Sequence, residues 1–105
     1  MRPSLRSRYL AIAIVASFAL VGCAGSTEGV FGGDLYQQTC ARCHGAQGEG
    51  GIGGPVGRGA SSGALTDAQI GDIIRVGPGT MPGFPGFTDE QVESLIVHLR
   101  ILQAQ

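Results

Sequence analysis

Apolar side chains are arranged along this chain in two ways, first as one unbroken run and then as periodic stripes. Tyr9 to Val21 is an uncharged apolar run of 13 residues, short of the roughly 20 that carry a helix across a bilayer. Beyond position 60 the pattern becomes helical. Ile70, Ile73 and Ile74 fall on one side of a predicted helix, and Val92, Leu95, Ile96, Leu99 and Leu102 form the stripe of a longer one. Both stretches open on the same signal, Thr66-Asp67-Ala68-Gln69 and Thr88-Asp89-Glu90-Gln91. Each reads as a capping box with a hydrophobic staple, Leu65 with Ile70 and Phe87 with Val92. Asp67 and Asp89 lie in the first turns, where the helix dipole favours them. The earlier helix is expected to stop at Gly77-Pro78, a glycine past the end followed by a breaker, and the later one to run to about Leu102. Val97 and Ile101 fall on its opposite side, as scattered apolar surface or as a contact face. A further helix is predicted from about Asp34 to Cys43, with Leu35, Thr39 and Cys43 on one side.

Charge and small residues account for the first run. Arg2, Arg6 and Arg8 precede it and Leu20-Val21-Gly22-Cys23 closes it. A basic start and a short apolar segment make a secretory signal, and the closing residues look like a bacterial lipobox, whose cysteine is acylated and becomes the new N-terminus. The expected organisation is a lipoprotein signal peptide over 1–22, a flexible tether over 23–31 carrying the lipid on Cys23, and one domain over 32–105. An uncleaved anchor, or an ordinary signal with a stray cysteine, still delivers the domain to the outer side of the cytoplasmic membrane. The expected location is thus outside the cytoplasm, lipid-anchored to a bacterial membrane and facing the periplasm or the cell exterior. Ala24 to Phe31 is small, polar and glycine-containing, the composition of a tether.

The exported chain, 83 residues from Cys23, keeps four arginines against all eight acids, a net charge of −4. That excludes nucleic-acid binding, which needs a basic footprint, and points to a partner face that is positive or mainly apolar.

The chemistry concentrates in Cys40-Ala41-Arg42-Cys43-His44. Two thiols three residues apart share one helical face and can each add to a haem vinyl group, with the following imidazole turning onto the iron; C-x-x-C-H is the c-type attachment pattern. Zinc would want four ligands, and His44 with His98 completes the set poorly because His44 adjoins Cys43. A plain disulfide leaves His44 unexplained. With Cys23 assigned to lipid, Cys40 and Cys43 are spent on haem and no structural disulfide is left. Covalent haem would also staple a domain whose own core is small, so the haem-free chain is expected to be largely unfolded.

Two irregular stretches flank this centre. Gly45 to Gly63 holds nine of the nineteen glycines and is expected to wrap the cofactor edge, where glycines allow close backbone approach. Within it the carbonyl of Pro55 is expected to accept the second imidazole proton of His44 and fix the ring; a simple turn proline is the alternative. Gly77 to Phe87 is a proline- and glycine-rich strap around Met81, the only methionine besides Met1. A thioether held there reads as a soft ligand facing His44 across the iron, since methionine with histidine is the ligand pair of electron-transfer haems, rather than as packing alone. Phe84 and Phe87 would shield the cofactor, Arg58 or Arg75 would neutralise a propionate, and Tyr36 is a core residue with a hydroxyl available to a buried acceptor.

Together these residues resemble the class I cytochrome c family in its small bacterial monohaem form, over about Gly32 to Leu102. The matching elements are Gly32, Leu35 and Tyr36 ahead of Cys40, then Cys40-Ala41-Arg42-Cys43-His44-Gly45, Gly54-Pro55, Met81-Pro82 and the closing helix from Thr88. The resemblance implies an all-α cytochrome c fold, three to four short helices wrapped around one covalently bound haem c. It also implies first and last helices crossing near Gly32, His44 and Met81 as axial ligands, and the Pro55 carbonyl orienting His44. His98 departs from the pattern at a place where the family carries an aromatic packed on the first helix. It reads as a core-edge histidine, with an iron-ligand or proton-coupled role as the alternative. The function implied is single-electron transfer without enzyme chemistry or a small-molecule substrate. The partners would be redox proteins, namely a quinol-oxidising complex, a terminal oxidase or a dehydrogenase. The alternatives are a subunit permanently docked on a larger oxidoreductase, or a haem sensor or weak peroxidase if Met81 detaches.

Overall fold

The computed structural model describes residues 26–105. The signal peptide expected over 1–22 and the acylation site at Cys23 lie outside the described residues. Four α-helices follow in order, α1 (Gly32–Thr39), α2 (Ala41–His44), α3 (Asp67–Val76) and α4 (Asp89–Gln103), with a 3₁₀ turn at Ser61–Ala64 before α3. Among the described residues there is no strand.

The two later helices begin where their capping boxes place them. Thr66 accepts from the Gln69 N–H and Gln69 Oε1 accepts from the Thr66 N–H, and Thr88 and Gln91 repeat the arrangement. α3 ends at Gly77 in the left-handed conformation, φ 66°. A side chain at 77 would also collide with the backbone of Met81 to Gly83, so glycine is required on both counts. The single helix expected from Asp34 to Cys43 is instead two, broken at Cys40, whose φ of −113° and ψ of −39° lie off the helical line. The break lets α2 restart with His44 N–H bonded to the Cys40 carbonyl at 3.0 Å.

The core is Leu35, Tyr36, Ile70, Ile74, Val92, Leu95 and Leu102, with Ile96 and Leu99 packed against it in part. The predicted α4 stripe is therefore the one that faces inward, and Val97 and Ile101 stand 57 % and 56 % exposed on the other side. α1 crosses α4 at Gly33, where a β-carbon would lie 3.2 Å from His98 Cε1. The Gly32 N–H donates to Ser94 Oγ at 2.8 Å beside this crossing.

The tether expected over 23–31 needs correcting over its described part. Gln91 Nε2 donates to the carbonyls of Thr27 at 2.7 Å and Val30 at 3.1 Å, and Val30 packs on the core. Its small polar composition suggests a free linker, but backbone carbonyls carry no sequence signature and Gln91 binds them.

Candidate functional site

The elements around α2 bring Cys40, Cys43, His44 and Met81 to one cleft. Two adjoining spaces, of about 130 Å³ and about 280 Å³, share Cys40, His44 and Met81 in their walls. The first is walled chiefly by Tyr36, Ile70, Ile73, Ile74, Leu95 and Leu99, and its wall is almost wholly apolar. The second opens past Cys43, Ile52, Pro78, Thr80 and Pro82, and none of its lining residues is an acid or an arginine.

His44 is the most tightly specified side chain of the site. Its Nδ1 lies 2.7 Å from the carbonyl oxygen of Gly54. The expected partner, the carbonyl of Pro55, is therefore wrong by one residue. The physical reason lies in the loop's own pairing: Gly53 N–H donates to the Cys43 carbonyl at 2.7 Å and Gly50 N–H to the His44 carbonyl at 2.7 Å. These bonds bring Gly54 beside the ring, and a residue preceding proline is held away from the helical conformation. With Nδ1 as the donor to Gly54, Nε2 is left unprotonated, the form in which imidazole binds a metal. Gly53 is a requirement that sequence reasoning missed, because a β-carbon there would sit 2.9 Å from His44 Cε1 and 3.0 Å from Nδ1.

Tyr36 supports the same turn from behind. Its hydroxyl donates to the carbonyl of Gly45, the residue after His44, at 2.7 Å, which gives the phenol the buried acceptor anticipated for it. Burial pushes its pKa up to about 12, with Cys40 and Glu49 adding to the effect. Burial also raises the Cys40 thiol, against a lowering contact from Thr39 and with Cys43 adding to the rise. Cys40 and Cys43 are free cysteines, and a protonated thiol is the poorer nucleophile for premature disulfide formation.

The strap carrying Met81 is fixed at both ends. Phe84 N–H donates to the Ile74 carbonyl at 2.9 Å and Met81 N–H to the Pro78 carbonyl at 3.2 Å. Phe84 lines the open part of the cleft, while Phe87 stacks on it at 4.7 Å between centroids and packs on the core. Of the two, Phe84 alone stands at the cleft wall.

Two further expectations change. Arg75 bonds Asp89 at 2.5 Å and lines neither space, and Arg58 is exposed and lines neither. Gln103 Nε2 donates to the Val56 carbonyl at 3.2 Å beside the first space, whose wall is almost wholly apolar. His98 also lines neither space, so it is no candidate ligand; its ring lies 5.0 Å from that of Tyr36 and covers Gly33, as the family's aromatic would. Its Nε2 is shut off from solvent without a hydrogen-bond partner.

The residues present fit a haem. The walls suit an apolar macrocycle, two free thiols adjoin it, and an imidazole with its Nδ1 engaged and a thioether both reach the same space. No curated sequence matches the chain. Among solved structures it is similar to the KustC0563 c-type cytochrome, at 26 % identity with a TM-score of 0.62, over 70 % of this chain and 99 % of that one. It is similar to cytochrome cL from Hyphomicrobium denitrificans, at 25 % identity with a TM-score of 0.60, over 68 % of this chain and 45 % of that one. It also resembles part of the dihydro-heme d1 dehydrogenase NirN, at 35 % identity with a TM-score of 0.56, over 62 % of this chain but 14 % of that one. The family model for cytochrome c oxidase, cbb3-type, subunit III matches residues 31–99. The chain therefore belongs to that family, as a small monohaem class I cytochrome c of all-α fold with one haem c held covalently at Cys40 and Cys43.

Proposed function

We propose that this cytochrome, whose class transfers electrons, is a single-electron carrier rather than an enzyme, in which His44 and Met81 would hold the haem iron. The observation that carries the reading is the hydrogen bond from His44 Nδ1 to Gly54, which fixes the ring and leaves its other nitrogen free in a residue that lines the same space as Met81. When bound, haem supplies a reversible one-electron couple at its iron. The chain's own contribution would be to offer His44 and Met81 to the iron, to hold them still through Gly54, Tyr36 and the strap, and to surround them with apolar walls. Methionine ligation and exclusion of water both favour the reduced, less charged state and raise the potential. The charge-free opening past Cys43 and Pro78 is the side from which a redox partner would approach.

The chain is further read as exported and lipid-anchored through Cys23, facing the periplasm or the cell exterior. There it would pass electrons between redox proteins such as a quinol-oxidising complex, a terminal oxidase or a dehydrogenase. A second reading, an electron-transfer subunit docked on a larger oxidoreductase, is favoured by the family's description as an oxidase subunit and by the exposure of Val97 and Ile101. Spectra of the purified haem protein test the carrier: a sulfur-to-iron charge-transfer band in the ferric form and no carbon monoxide binding in the ferrous form are expected. Ready carbon monoxide binding would move the reading to a sensor or peroxidase. Co-purification of a stoichiometric partner in detergent would favour the docked subunit.

A further inference from the structure

α3 and α4 open on the same capping box, but the third-position glutamines do different work. Gln69 is exposed, and its amide serves the cap through its oxygen. Gln91 is 5 % exposed; its oxygen closes the α4 cap while its nitrogen donates to the carbonyls of Thr27 and Val30. The segment it grips is folded on itself, with Val30 N–H bonded to the Thr27 carbonyl at 3.1 Å, and it runs directly into the Gly32 to Ser94 bond at the start of α1. A glutamate at 91 would cap α4 equally well but has no N–H to donate at neutral pH. The choice of amide at this buried position is explained by the two carbonyls.

We infer that residues 27–31 are a docked arm rather than a free tether, and that with Cys23 acylated this arm keeps the start of α1, and the haem that follows it, close to a bilayer surface. The second half rests on the lipid-anchored reading above; the first half does not. Four Cα–Cα steps from Cys23 to Thr27 reach at most about 14 Å, whereas a linker free to residue 31 would reach about 28 Å. The arm enters α1 at Gly32, and the haem cysteines follow the other end of that helix, about 12 Å further along its axis for eight residues. The partner of this face is the lipid surface itself. Glu28 and Asp34 are exposed beside it and would oppose anionic headgroups, so neutral vesicles are the appropriate probe.

The experiment uses the exported full chain with haem, in phosphatidylcholine vesicles bearing a headgroup fluorophore that the haem quenches. Wild type, Gln91→Glu and a ten-residue Gly-Ser insertion after Ala24 are compared, with the N-terminus of each checked by mass. Strong quenching in the wild type, with loss of quenching in both variants, is expected. Equal quenching in all three, or in wild type and Gln91→Glu with loss only on insertion, would overturn the close approach, as would an unacylated Cys23. Amide exchange on the same proteins tests the arm separately. Protection of the Val30 and Gly32 N–H groups in the wild type, lost in Gln91→Glu while α4 amides keep theirs, is expected. Rapid exchange of both groups in the wild type would overturn the arm whatever the state of Cys23.

Discussion

Tyr36 is 1 % exposed, yet its hydroxyl reaches the Gly45 carbonyl and so braces the residue that follows His44. Its pKa, about 12 in the fold against 10 when unfolded, means that the native state holds this proton more tightly than the unfolded chain. The resulting stability is fully present below pH 10 and is lost as pH rises towards 12. Tyr36→Phe should therefore cost about 1 kcal/mol near neutrality, for the lost hydrogen bond, and should flatten the alkaline limb of a denaturation-against-pH profile. Gly53 is the complementary case. An alanine β-carbon at 2.9 Å from His44 Cε1 has backbone on one side and the imidazole on the other. Gly53→Ala should lower stability by about 1–3 kcal/mol and weaken the His44 to Gly54 bond, seen as a changed imidazole signal in the proton spectrum of the ferric protein.

The helix starts were legible because capping boxes put their information in side chains three residues apart. The inward stripe of α4 was legible because a 15-residue helix repeats its apolar pattern several times. The break at Cys40 was not, because Leu35, Thr39 and Cys43 keep helical spacing across it. The loop from Gly45 to Gly63 was legible only as a wrap. Its register is set by backbone bonds among glycines, which is why the His44 acceptor fell one residue from where Pro55 suggested. The capping boxes also give a paired test. Thr66→Ala and Thr88→Ala should each cost about 1 kcal/mol in denaturant unfolding. Gln91→Leu should cost more than Gln69→Leu, because it also strands the Thr27 and Val30 carbonyls, each such loss being worth about 1–3 kcal/mol.

Seven buried apolar residues make the core of the described chain, and much of its remaining apolar surface faces the cleft. Without haem those walls meet only one another across an open space, so too little surface is buried to hold so small a domain. The haem-free double variant Cys40→Ala, Cys43→Ala should show largely unfolded circular dichroism and no cooperative melt, while the haem-loaded wild type melts cooperatively. Cys40, Cys43, His44 and Met81, which the fold brings to one cleft, were all singled out by the sequence, since their chemistry admits few substitutes. Gln103 and the arm were not, because each acts through a neighbour that lies dozens of residues away along the chain.

The pairing of His44 with Met81 is tested most directly by Met81→Ala in the haem-loaded protein, with the ferric spectrum and the midpoint potential measured beside the wild type. The variant is expected to lose the sulfur-to-iron band, to bind carbon monoxide when reduced, and to fall in potential by on the order of 0.1 V, within the roughly 0.8 V that axial ligands command. A variant that keeps the band, stays closed to carbon monoxide and holds the wild-type potential would contradict the assignment.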